Sequence, residues 1–354
     1  MATEDARYRQ SSQYRLWSFT PSHLATLREK TNTLARTHIS NRLRASNPPV
    51  PAESLPEFLT AAEEYKILNH FTVELLRAAP FGNLPTDIQA TAAIFLRRFY
   101  LTNSVMTYPP HELIKTCLFF GCKAEGYFIR VQKIADIFPD TTSEMILAAE
   151  YVLCQGIRFA FDIRHPFRAL EGAIMELRRL GGFDDDRLNQ AHGKTREILK
   201  FSPLVTDAYF HYTPSQIMYA SLAIVDEELV QRIFQEAFTG PGEAAKDKIW
   251  GVIQNCKAML EKEPPEKMAS YWEDKERVKS IRALKRKLGK CRDPDRVDLV
   301  ALQKARREQA AQKPKGKGTL NADEKVFGNG IGEERESKRR KVAPEGDDIF
   351  GPPL

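Results

Sequence analysis

Between Pro21 and Lys290 apolar residues recur at three- and four-residue spacing, and no useful run alternates with period two. This predicts an all-α protein, because a helix returns one face to the core at those intervals whereas a half-buried strand needs alternation. Phe58, Ala62, Tyr65, Leu68, Leu75, Leu76 and Ala79 mark a first helix over 58–79, ended by Pro80 and Gly82. A second follows Pro85-Thr86, carries Ile88, Ala92, Phe95, Leu96 and Phe99, and reaches Leu101. A third opens at Pro110, whose fixed φ suits a first helical turn, and runs to Lys123. Two more fit 131–138 and 143–158. After the punctuation at 162–166 the pattern restarts, with helices over 167–180, 188–201, 215–228, 230–238 and 244–261.

Two groups of five helices suggest a diverged tandem repeat. Pro85-Thr86-Asp87-Ile88 and Pro214-Ser215-Gln216-Ile217, 129 positions apart, each open a helix rich in small residues, as a central helix approached from several sides requires. Coincidence between two helix starts is the plain alternative. The expected organisation is an N-terminal arm and helix (1–54), a first unit (55–162), a second unit (163–262), a C-terminal helix (263–292) and a mostly disordered tail (293–354). Flanking helices fit 22–45 and 266–290, and in the latter Val278, Ile281, Leu284 and Leu288 form an apolar stripe that needs a dock. Residues 313–354 hold eleven Gly or Pro among 42 positions, too little apolar content to join a core.

Composition narrows the function. A chain of 354 residues, 42% hydrophobic, exceeds one compact core. No stretch approaches the roughly 18 to 20 apolar residues of a membrane span, and residues 1–15 lack an apolar signal core, so neither secretion nor a membrane partner is expected. Five cysteines (117, 122, 154, 256, 291) without close pairing fit a reducing compartment. The net charge of +6 is uneven: residues 1–50 carry eight Lys/Arg against three Asp/Glu, residues 51–160 nine against twelve. The body is not a basic slab, so specific DNA binding is not expected. Lys338, Arg339, Arg340 and Lys341 form a basic cluster that reads either as a nuclear import signal or as a solvated charge run.

The usual enzymatic constellations are missing: there is no Gly-rich phosphate loop, His-Glu-x-x-His helix, nucleophile elbow or Cys-x-x-Cys pair. No catalytic residue, cofactor or metal is expected. Cys117 and Cys122 lie about 140° apart on one helix and read as core fillers. The seven histidines stand singly, and Glu63-Glu64 read as a solvated face. Two charges interrupt apolar runs: Lys123 after Cys117-Leu118-Phe119-Phe120-Gly121-Cys122, and Glu150 within Ile146-Leu147-Ala148-Ala149-Glu150-Tyr151-Val152-Leu153. Each must snorkel or find a partner, because an isolated buried charge costs several kcal/mol. Unaided, two unrelated surface charges would also explain them.

Five separated motifs then occur in one family's order. Ser12-Gln13-Tyr14-Arg15-Leu16-Trp17-Ser18-Phe19, Arg97-Arg98-Phe99-Tyr100-Leu101-Thr102-Asn103-Ser104-Val105-Met106, Cys122-Lys123-Ala124-Glu125, Thr206-Asp207-Ala208-Tyr209 with Tyr212-Thr213-Pro214-Ser215-Gln216, and Leu284-Lys285-Arg286-Lys287-Leu288 resemble cyclins, within them the cyclin H branch, over roughly residues 10 to 292. The resemblance implies two five-helix cyclin boxes and a non-catalytic nuclear subunit that activates a cyclin-dependent kinase. It further implies the CDK-activating kinase of TFIIH, a RING-finger assembly factor, the TFIIH core, and polymerase II repeats or cell-cycle kinases as targets. By the family's pattern Lys123 and Glu150 pair at the kinase, and Phe120, Phe159 and Phe161 match hydrophobic docking positions, for which plain core is the alternative. Where cell-cycle cyclins carry an Arg-bearing docking motif, this chain reads Glu64-Tyr65-Lys66-Ile67-Leu68. Rival readings are a TFIIB-like promoter-binding factor, which should show a zinc ribbon and basic repeats, another transcriptional cyclin, and a helical scaffold without a kinase.

Overall fold

A computed structural model of the chain describes residues 4–46, 48–238, 243–293 and 299–312. Three helices lead: α1 (Glu4–Gln10), α2 (Ser12–Trp17) and α3 (Pro21–Ala45). The first five-helix unit is α4 (Ala61–Ala78), α5 (Thr86–Thr102), α6 (Pro110–Ala124), α7 (Val131–Ala135) and α8 (Ser143–Gly156). Next come α9 (Phe167–Leu180), α10 (Asp185–Leu199), α11 (Ser202–Val205), α12 (Ala208–His211), α13 (Pro214–Val225), α14 (Glu227–Ala237) and α15 (Glu243–Leu260). α16 (Glu266–Ser270), α17 (Lys275–Lys290) and α18 (Leu299–Gln312) follow. Among the described residues there is no strand, as the periodicity predicts.

Each unit is built around one buried helix. In α5, Ile88 and every residue from Ala90 to Leu101 are buried, with α3, α4, α6 and α8 packed around it. Small side chains make this possible: a Cβ on Gly121 of α6 would stand 3.2 Å from the Ile88 carbonyl and 3.3 Å from the Ala92 methyl. The corresponding helix α13 buries Ile217, Met218 and Ala220 to Ala223 among α9, α10, α14 and α15. Its start is fixed by a capping box, Thr213 with Gln216, and α4 starts the same way with Thr60 and Glu63.

The N-terminal segment is seated across the two units. Trp17 is 1% exposed beneath the guanidinium groups of Arg98 (5.2 Å) and Arg158 (5.8 Å). The Phe19 amide donates to the Phe210 carbonyl (2.8 Å), and the Arg164 amide donates to Gln13 Oε1 (2.7 Å). The apolar stripe of the C-terminal helix finds its dock on α4: Ile281, Leu284 and Leu288 are buried there, and Lys287 Nζ reaches Glu63 (2.9 Å) and Glu57 (2.6 Å). Leu284→Ala is expected to cost about 2 to 5 kcal/mol, the usual penalty for a cavity at a buried leucine, read as a lower urea midpoint. An unchanged midpoint would mean α17 adds nothing to the fold.

Four expectations need correction. The helix expected over 266–290 is two: the chain breaks after Ser270, and Asp274 caps a new start by accepting from the Arg277 amide. The short α11 and α12 fill 202–211 with buried residues where no helix was expected. Within the segment read as a mostly disordered tail, α18 packs on α8, and Gln303 donates to the Leu147 carbonyl (3.4 Å). Glu63 and Glu64 are not a solvated face. Glu63 closes the α4 cap and binds Lys287, while Glu64 accepts from Ser104 (2.6 Å) and Asn32 (3.0 Å), and burial raises its pKa.

Candidate functional site

The two charges that interrupt apolar runs meet. Thr142 caps α8 by accepting from the Met145 amide, and Ile146, Ala149 and Leu153 turn inward, with Glu150, one turn on from Ile146, at the half-buried edge of that face. On α6, Leu118 and Cys122 are buried and Lys123 is not. Lys123 Nζ donates to Glu150 Oε1 at 2.7 Å and lies 5.2 Å from the centre of the Phe119 ring. The Lys123 side chain is 51% exposed and that of Glu150 18%, so the pair forms a charged knob of fixed geometry on the surface. Cys154, one turn on, has its thiol pushed up by burial and then by the Glu150 charge.

Beside the pair lies an aromatic patch. After α8 ends at Gly156, Arg158 (φ 54°) and Phe159 (φ 53°) take left-handed backbone, and the Phe159 amide donates to the Cys154 carbonyl (2.9 Å). Such backbone at two non-glycine residues costs about 1 to 2 kcal/mol each. It turns Phe159 outward, 45% exposed, with its ring 6.2 Å from Phe161. Phe161 meets Phe120 edge-on at 5.2 Å, and Phe120 is rooted on Phe95 of the buried α5 at 5.7 Å. All five residues singled out from the sequence thus fall into two groups joined along α6, where Phe120 and Lys123 are one turn apart.

The sequence reading missed the loop that follows. Glu125 caps α6, Gly126 (φ +68°) reverses the chain, and the Tyr127 amide donates to the Cys122 carbonyl (2.8 Å). This presents Phe128, 93% exposed, and Tyr127, while Tyr151 stands half-exposed next to Glu150. A glycine just past a helix end followed by two aromatics was the available signal. Cys117 and Cys122 are buried with their thiols pushed up by burial, Cys122 to about 11, as core fillers should be. No three His, Cys, Asp or Glu side chains among the described residues could hold a metal, and no helix there is long and apolar enough to cross a membrane. The basic cluster Lys338 to Lys341 lies outside the described residues.

Residues 165–261 match the family model described as Cyclin C-terminal domain. The chain is 34% identical to Cyclin CCL1 of Saccharomyces cerevisiae over 248 residues, 67% of this chain and 62% of that protein. It is 31% identical to Cyclin mcs2 of Schizosaccharomyces pombe, over 61% of this chain and 68% of that one. Among solved structures, it superposes on a chain of the CAK complex of Chaetomium thermophilum bound to ATP-γ-S with a TM-score of 0.82 and 52% identity, covering 90% of this chain and 99% of that chain. A chain of the yeast TFIIK (Kin28/Ccl1/Tfb3) complex matches with a TM-score of 0.59 and 31% identity, over 72% of this chain and 100% of that one.

Proposed function

The chain belongs to the cyclin family, and on that premise we propose that it is the regulatory subunit of a cyclin-dependent kinase acting within TFIIH. The observation that carries this reading is the 52% identity, over 90% of the chain, to a chain of a CAK complex. The kinase supplies the catalytic groups, and this subunit contributes by differential binding. It favours the arrangement in which the kinase's own regulatory-helix Glu meets its ATP-site Lys, which phosphoryl transfer requires. Lys123 and Glu150 offer hydrogen bonds to backbone groups beside that helix, and Phe120, Phe159 and Phe161 offer the apolar contact. A RING-finger assembly factor and the TFIIH core complete the set of partners, with polymerase II repeats and cell-cycle kinases as substrates of the complex. The site of action is the nucleus, with Lys338, Arg339, Arg340 and Lys341 as the import signal.

Endogenous partners captured on the full chain and identified by mass spectrometry should include a kinase and a RING-finger protein. Recovery of promoter DNA-binding factors without a kinase would sink the proposal. A chain ending at Gln312 should activate the kinase as the full chain does, because residues 313–354 lack the apolar content to join the complex. Loss of activation on that truncation would give the tail a role in binding instead.

A further inference from the structure

A chain of hydrogen bonds runs from the second unit to the loop beside Lys123. Tyr209 of α12 is 3% exposed, and its hydroxyl lies 2.8 Å from His165 Nδ1 in the connection between the two units. His165 Nε2 lies 2.8 Å from the hydroxyl of Thr91, a fully buried residue of α5. That hydroxyl lies 2.5 Å from Oε1 of Glu125, which is exposed at the end of α6.

The donors can be assigned from one end. A carboxylate only accepts, so Thr91 donates its single proton to Glu125. Thr91 must then accept from His165, which places the imidazole proton on Nε2 and leaves Nδ1 to accept from Tyr209. Burial, with the Arg98 charge nearby, holds His165 neutral, its pKa lowered to about 3, so this tautomer persists across the physiological range. Every member has a partner and the direction is the same throughout. Reversing one bond would leave two donors or two acceptors face to face.

The geometry points to Thr91, His165 and Tyr209 as positioning residues that hold Glu125, and with it the loop carrying Tyr127 and Phe128, in the arrangement the kinase meets. The inference rests on the kinase-binding reading above. Glu125 is otherwise an exposed side chain at a helix end with rotamers to lose, and the backbone bonds that tie its loop to α6 come from the Glu125, Gly126 and Tyr127 amides and do not fix that side chain. Fixing it beforehand removes an ordering cost from association. The second unit, which contributes none of the residues at the Lys123 surface, thereby acts on that surface.

The test uses the full chain with its kinase. Thr91→Val removes the hydroxyl at nearly constant volume, Tyr209→Phe removes the last donor, and Thr91→Ser keeps the bond. Thr91→Val should weaken kinase binding about 3- to 10-fold, the effect of one hydrogen bond, and speed amide exchange at 126–128 in the free chain. Thr91→Ser should restore both, and Tyr209→Phe should change both in the same direction. Combined with Glu125→Gln, Thr91→Val should cost less than the two single changes added. Wild-type affinity or unchanged exchange in Thr91→Val, while Lys123→Ala still weakens binding, would overturn the inference. Wild-type affinity in Lys123→Ala would overturn the kinase-facing reading itself.

Discussion

Replacing Lys123 or Glu150 by Ala is expected to weaken kinase binding about 30-fold or more and to reduce phosphorylation of a polymerase-repeat peptide accordingly. The size follows from desolvation: on the proposed reading the kinase covers the pair, and truncating one member then leaves the other buried and unpaired, a loss of about 2 to 5 kcal/mol. In the free chain Lys123 is half-exposed, and such a pair contributes only about 0 to 1 kcal/mol, so the fold should survive. Titrating the kinase with each variant, beside circular dichroism, separates the two effects. Arg178→Ala is a fair control because its partners, Asn189 and Asp185, are surface contacts within the second unit. Glu63 is not, since its loss would undo the α4 cap and the tie to Lys287. Wild-type affinity and activity in both variants, with helices intact, would make the pair ordinary surface charge.

How far the sequence could be read depended on whether the information was local. Ten of the twelve helices of the two units were legible because each writes its own apolar period and its own punctuation, down to Pro110 at the head of α6, whereas the four-residue α11 and α12 are too short to show a period. The break at 271–274 was not, because Val278, Ile281, Leu284 and Leu288 keep their period across α17 and nothing upstream interrupts it strongly. Glu64 was misread since its partners, Asn32 and Ser104, come from 32 and 40 positions away. Lys123 and Glu150 showed as charges out of place, yet their pairing across 27 positions came only from family likeness. The Tyr127-Phe128 loop was passed over because exposure depends on the backbone turn at Gly126, which the surrounding apolar pattern does not announce.

The ion network at the junction of the two units shows the same limit, since Arg97 and Asp207 were visible only as parts of motifs. Arg97, 1% exposed on α5, donates to Asp207 (2.8 Å) and to Asn69 (2.7 Å), and Arg28 of α3 grips the same carboxylate with two bonds (2.7 and 2.8 Å). Burial alone would raise the Asp207 pKa, but the bonds from Arg28 and the charge of Arg97 outweigh it and bring the value down to about 2. Asp207→Ala would leave Arg97 buried without its counter-charge, and the expected loss is about 3 to 5 kcal/mol. Asp207→Asn keeps the shape and isolates the charge. Because the folded pKa is depressed, the carboxylate's contribution is complete above the unfolded value near 4 and disappears as pH falls through about 2. The urea-stability gap between wild type and Asp207→Asn should therefore be constant from pH 7 to 5. It should narrow by about 1 kcal/mol at pH 3, as the wild type begins to lose what the variant never had. A gap that stayed constant down to pH 3, or one absent at pH 7, would mean that Arg97 finds its compensation elsewhere and that the junction is held by packing alone.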